Sequence, residues 1–184
     1  MKVAMSLILS LILNVAFCQV SLTPDGVKSS NNLESDFVVL NFDQKQSDLY
    51  NSALTAMTKL YRSPKYVIDK VENTSIKISA NSDVIAVHKL TMLEKQKYSI
   101  DYVVHLDFKD NRMRVSIPTV LYKQESLSGF DFFLVAQKKA IGKRNGIWDN
   151  AGNLKNDWLK VATESYLNNW IAWLDKSIKE NTTW

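Results

Sequence analysis

Two kinds of hydrophobic periodicity in one chain predict an α+β fold. Apolar residues recur at every second position from Tyr98 to Phe108 and again from Met113 to Ile117, on either side of an Asp110-Asn111 tip, which is the pattern of an antiparallel hairpin. Spacings of three and four residues over 47–61 and 158–178 mark two amphipathic helices. The expected architecture is therefore an antiparallel sheet with an N-terminal helix and a long Trp-rich C-terminal helix packed on one face. With 184 residues, 46% of them apolar and 23% charged, the chain is large enough for one domain with its own core.

The first segment reads as an address. Met1-Lys2 is followed by an apolar run from Val3 to Phe17, too short to span a bilayer, where about 20 residues are needed. Ala16 and Cys18 stand three and one residues before an expected signal-peptidase cut, so residues 1–18 form a signal peptide and Gln19 begins the mature chain. A competing reading makes Cys18 the lipid-bearing residue of a surface lipoprotein. Phe17 opposes it, because a small residue normally precedes such a cysteine. Cleavage leaves a cysteine-free chain of 166 residues with net charge +3, and no further apolar run of spanning length follows.

Residues 19–35, with Pro24-Asp25-Gly26, Ser29-Ser30 and Asn31-Asn32, are rich in turn formers and predict a flexible leader before a single α+β domain over 36–184. Phe37 to Leu40 fits a buried strand. Leu49/Tyr50, Ala53/Leu54, Met57 and Leu60/Tyr61 then form a helical stripe, with Ser47 as its expected N-cap and Pro64 beyond its end. Further strands are expected at Tyr66–Val71, around Ile76 and Ile78, and at Val84–Val87. The hairpin register places Phe108 opposite Met113, Leu106 opposite Val115, and Asp107 opposite Arg114 on the polar side. Phe130 and Phe132 to Val135 form a small apolar cluster, and residues 142–146 and 148–152 read as loops. The last helix carries Trp158, Val161/Ala162, Tyr166, Trp170, Trp173/Leu174 and Ile178 as its apolar stripe, with Asn156 or Asp157 as cap, leaving Trp148 as the exposed tryptophan.

Chemistry is sparse. His88 and His105 lack the spacing of a zinc-binding helix, and no cofactor or metal is implied. Asp101, His105, Asp107 and Arg114 share the polar side of the hairpin and are the candidate catalytic group; the plainer reading of the same residues is a solvated strand face. Residues 142–146 have glycines and basic residues but not the Gly-Lys-Ser/Thr ending of a phosphate loop. Lys138-Lys139 and Lys143-Arg144 form one basic patch, too small to argue for nucleic acid. Asn73-Thr74-Ser75 and Asn181-Thr182-Thr183 match the N-glycosylation pattern, which matters only in a eukaryotic host.

The order of elements, the Ser47-Asp48-Leu49-Tyr50 helix opening and the Lys109-Asp110-Asn111-Arg112-Met113-Arg114 hairpin resemble an exported bacterial family of unknown function with a TBP-like fold, of the kind found in Bacteroidetes. Asn111 stands where that family usually has Gly, a replacement the turn tolerates. The resemblance covers residues 36–121. It implies a twisted antiparallel sheet with helices on one face and no catalytic residue, and a shared fold does not transfer DNA binding. The functional expectation is an exported periplasmic or secreted cell-envelope protein acting as a non-enzymatic binding module, its partner a small apolar ligand or another envelope protein. The alternatives are a hydrolase of envelope or polymeric substrates, using the Asp101/His105/Asp107/Arg114 face, and a lipid-anchored surface subunit.

Overall fold

The computed structural model describes residues 19–89, 95–125, 132–135 and 145–180. The signal segment with Cys18, Phe130, the 138–144 basic patch, Asn181 and Trp184 lie outside the described residues. In chain order the elements are β1 (Val20–Thr23), β2 (Gly26–Ser29), β3 (Phe37–Asn41), α1 (Gln46–Leu60), a single helical turn α2 (Pro64–Val67), β4 (Ile68–Val71), β5 (Ser75–Asn81), β6 (Ala86–Lys89), β7 (Lys95–Lys109), β8 (Arg112–Glu125), β9 (Phe132–Val135), β10 (Asn145–Trp148) and α3 (Asp157–Glu180).

The spine is the β7–β8 hairpin. Its lower half has the predicted register, with Phe108 opposite Met113, Leu106 opposite Val115 and Asp107 opposite Arg114. The lower half of β8 also carries β3, and its upper half meets β9 at Tyr122. On the far side of β7, β5 pairs with residues 101–107 and β6 with residues 95–98. β4 extends the β5 edge, and β10 lies parallel to β9, the one parallel pairing among otherwise antiparallel ladders of the described residues.

Beyond His105–Ser116 the pairing resumes at Val103–Thr119, so Ile117 and Pro118 together face Val104 as a bulge. Proline has no N–H for a ladder, and the bulge gives it a place between the stretches of β8 that bond β3 and β9. The extra residue also reverses the side-chain phase of β8: Met113, Val115 and Ile117 are buried below it and Tyr122 above it.

Burial alternates along all of β7, with Tyr98, Ile100, Tyr102, Val104, Leu106 and Phe108 inward. α1, α3 and the β1–β2 ribbon all pack on this inward face, as expected of helices on one face of the sheet. α1 contributes Leu49, Tyr50, Ala53, Ala56 and Met57, and α3 contributes Leu159, Leu167, Ile171, Leu174 and Ile178.

Several local expectations give way to tertiary contacts. Residues 19–35 are not a loose leader: β1 and β2 pair around Pro24-Asp25, with Gly26 at φ +116°, and bury Val20, Leu22 and Val27. Asn168 on α3 fastens this ribbon, its Oδ1 accepting from the N–H groups of Gln19 (2.7 Å) and Val20 (2.9 Å). Glu164 accepts from Leu22 N–H (2.7 Å) and the Ser21 hydroxyl (2.9 Å). Burial opposes ionisation of Glu164, but its bonds from Lys160, Leu22 and Ser21 prevail and hold the carboxyl below its ordinary range.

Ser47 is not the cap of α1. It lies inside the helix, and the Gln46 N–H donates instead to Asp110 Oδ1 at the hairpin tip, 64 residues away and 2.9 Å distant. Only Asn111 of the tip is left-handed, at φ 62°, leaving the Asp110 carboxylate to receive the helix N-terminus. Tyr66 and Val67 belong to the α2 turn, with Pro64 at its start, and the strand begins at Ile68.

Trp148 is buried rather than exposed, because β10 pairs with β9 on one side and Trp148 bridges to Leu154 on the other. The first half of the α3 stripe is rotated by one position from expectation: Leu159, Thr163 and Leu167 face inward, Val161 is exposed, and Trp158 and Tyr166 are half-buried. Thr163 is accepted inside because its hydroxyl bonds both the Leu159 carbonyl (2.7 Å) and the Tyr122 hydroxyl (2.9 Å).

Candidate functional site

The two faces of the sheet offer different chemistry. On the open face, Asp101, His105, Asp107 and Arg114 stand where strand alternation puts them, but strung out rather than gathered. Six residues of strand separate Asp101 from Asp107, a span of about 20 Å. Asp101 pairs with Lys123 at 2.8 Å. Asp107 pairs with Arg114, whose Nε and Nη2 both donate to Oδ2 at 3.0 and 2.7 Å, and the guanidinium lies 5.2 Å over the Phe37 ring. His105 is exposed, opposite Lys77 and Ser116 in the ladder. A pocket of about 300 Å³ lies here, walled by Phe37, Val39 and four charged side chains. The structure joins Asp107 to Arg114 and does not converge the other two on them. The second histidine, His88, is stacked on Trp158 with ring centres 4.8 Å apart.

On the helix side, a cleft of about 410 Å³ opens between the end of α1, the middle of α3 and the β5–β6 connection. Its walls are Leu60 and Tyr61, Tyr102 from β7, and Tyr166, Trp170 and Trp173 from α3, with Asn81, Asp83 and Asn169 also lining it. The β5–β6 connection is tied down on β7: Ser82 N–H donates to Ile100 O, Ile100 N–H to Ser82 Oγ, and Ile85 N–H to Tyr98 O, at 2.8 to 2.9 Å. Asp83 is thereby held at the mouth.

Three phenols meet at the floor. The Tyr166 hydroxyl donates to that of Tyr102 at 3.2 Å, and Tyr61 and Tyr102 share a second bond of 3.2 Å. The Tyr102 ring sits edge-on to Tyr166 and Trp170, with centres 5.7 and 6.5 Å away. Burial raises the pKa of all three phenols; for Tyr102 the neighbouring tyrosines add to it, and for Tyr166 the Asp83 carboxylate does. They are neutral hydroxyls at any physiological pH. The Trp170 indole N–H favours the ionised form of Tyr61, and its buried Nε1 has no hydrogen-bond partner among the described residues.

These residues were visible in the sequence only as members of apolar stripes. Tyr61 ends the first helical stripe, Tyr102 lies mid-strand, and Tyr166, Trp170 and Trp173 look like core positions of the last helix. The available signal was the number of tyrosines among them, since a phenol on a buried stripe needs a partner for its hydroxyl. No group of three or more His, Cys, Asp or Glu able to hold a metal occurs among the described residues. No helix among them is long and apolar enough to cross a membrane.

An antiparallel sheet with both long helices on one face defines the class: an α+β protein of TBP-like fold. Residues 36–123 match the family described as a domain of unknown function (DUF4468) with TBP-like fold. The structure is similar to that of a TBP-like protein from Parabacteroides distasonis, with a TM-score of 0.52 and 14% identity, over 78% of this chain and 90% of the other. A DUF4468 family protein from Bacteroides ovatus is similar with a TM-score of 0.52 and 10% identity, over 77% of this chain and 84% of the other. No curated protein matches the chain. At such identities the likeness speaks for the fold alone.

Proposed function

We propose that the protein is an exported, non-enzymatic binding module of the bacterial cell envelope, and that the Tyr/Trp cleft is where it holds its ligand. The observation that carries this reading is the contrast between the faces: of the acid-base candidates only Asp107 and Arg114 meet, and they are paired with each other, whereas the cleft on the helix side gathers five aromatic side chains with polar groups among them. Ligand sites are concave and largely apolar, with a few placed polar groups, and the cleft has this make-up at a usual size. The ligand therefore has an apolar face and a polar edge.

Export rests on the signal segment read from the sequence. Cleavage after Cys18 leaves Gln19 as the first residue; an intact mass matching a chain that starts at Gln19 supports this, and a diacylglyceryl adduct on Cys18 replaces it with the anchored form. The binding role is tested by fragment screening with protein-observed NMR. Shifts confined to the Tyr61, Tyr102, Tyr166 and Trp173 rings support the cleft. Turnover of an envelope polymer that is abolished by His105→Ala or Asp107→Asn would replace the binding reading with the hydrolase.

A further inference from the structure

Resting on the cleft as the binding site, we infer that its ligand is a neutral carbohydrate, held by one pyranose ring. The hydrogen bonds of the floor carry the argument. Tyr61, Tyr102 and Tyr166 bring three hydroxyl hydrogens, and the two bonds among them use two. Whichever way the Tyr61–Tyr102 bond points, one hydroxyl hydrogen is left to donate. The Trp170 indole N–H is a second donor in the same place: the residue is 7% exposed, lines the cleft, and its Nε1 has no hydrogen-bond partner among the described residues. Donors at the floor of a cleft favour an occupant that brings oxygen atoms to them in place of water.

The walls narrow the class further. Among the described residues no lysine or arginine lines the cleft, and Asp83 stands at its mouth, so a phosphate, sulfate or carboxylate is disfavoured there. A quaternary ammonium would suit the aromatic rings and Asp83, but it has no lone pair to offer the spare hydroxyl hydrogen and the indole. A purely apolar ligand fails for the same reason. A sugar ring meets every requirement. One face of its C–H groups lies flat on an indole such as Trp173, half-buried at the wall, and its hydroxyl oxygens accept from the floor. Its remaining hydroxyls reach Asn81, Asp83 and Asn169, which supply both donors and acceptors.

The test is saturation-transfer NMR and calorimetry on the purified protein with the methyl glycosides of glucose, galactose and N-acetylglucosamine, alongside tetramethylammonium and benzyl alcohol. At least one glycoside is expected to bind with a dissociation constant of about a millimolar, as befits a ligand of this size. Transfer should be strongest at the C–H groups of one ring face. Trp173→Ala should weaken binding about tenfold or more, and Asn169→Ala, at an exposed position remote from the core, about threefold. Glycoside binding that both variants leave unchanged places the sugar elsewhere and overturns the inference. Benzyl alcohol shifting the cleft rings while no glycoside binds overturns the carbohydrate class and spares the cleft; tetramethylammonium binding more tightly than every glycoside does the same. No probe touching the cleft overturns both.

Discussion

The two faces of the β7–β8 hairpin are built from the same strands yet follow different physics. Inward residues sit in a filled core under α1, α3 and the β1–β2 ribbon, while outward residues, one position along in each case, form salt bridges in water. Charge on an open sheet is cheap and says little about chemistry, because solvent screens it and partners lie within reach. Polar atoms on the covered face are few, and each must find a bond. That is why the Tyr61–Tyr102–Tyr166 cluster tells more about function than the acid, base and guanidinium groups on the other side.

The contrast can be broken with one residue type. Leu106 is fully buried and Leu121 is 58% exposed, on neighbouring strands of the same sheet. Leu106→Ala should cost about 2–5 kcal/mol in denaturant unfolding, and Leu121→Ala no more than about 0.5 kcal/mol. Comparable losses at both sites would mean that the open face is covered in solution. The buried polar bond ranks next: Tyr122→Phe removes the partner of Thr163, which keeps its bond to the Leu159 carbonyl, and should cost about 1 kcal/mol.

A pH series sharpens the comparison on the helix side. The folded pKa of Glu164 lies below its unfolded value, so its contribution is present above the ordinary carboxylate range and is lost as pH falls through the folded value. Melting temperatures between about pH 7 and pH 3 should therefore fall more steeply for the native protein than for Glu164→Gln. Hydrogen exchange should show the amide of Leu22 keeping its protection through the ordinary carboxylate range and losing it only late in that descent, since it donates to this carboxylate. The smallest effect belongs to the open face. A double-mutant cycle on Asp107 and Arg114 should give about 0.2–1 kcal/mol, declining with added salt, despite the two-donor geometry.

The central elements were legible because their signals are local. Alternation from Tyr98 to Ile117, the Asp110-Asn111 tip and the helical stripe over 47–61 each depend on residues a few positions apart, and the register they imply is the one found. Resemblance over 36–121 likewise rested on those short patterns, and the family match covers nearly the same residues. The misread details each involve a partner distant in sequence. Ser47 is a good cap in isolation, but Asp110 reaches the helix first. The turn-rich 19–35 segment has too few apolar residues to signal a strand pair, and it is ordered by Asn168 and Glu164 from the other end of the chain.

The candidate site belongs to this second kind. Spacing identified Tyr61, Tyr102, Tyr166, Trp170 and Trp173 as inward residues of three separate elements, and also placed Asp101, His105, Asp107 and Arg114 together on an outward face. Periodicity reports which side of an element a residue occupies, since 2.0 and 3.6 residues per repeat are properties of a single backbone. It does not report what stands opposite. A rotation of the first half of α3 by one position brings Leu159, Thr163 and Leu167 onto the sheet and leaves Tyr166 and Trp173 at the edge of a cleft, and that rotation is set by packing against β7, β8 and the ribbon. Side-chain phase was thus written in the chain, whereas the meeting of three phenols depended on elements that touch only once the whole fold has closed.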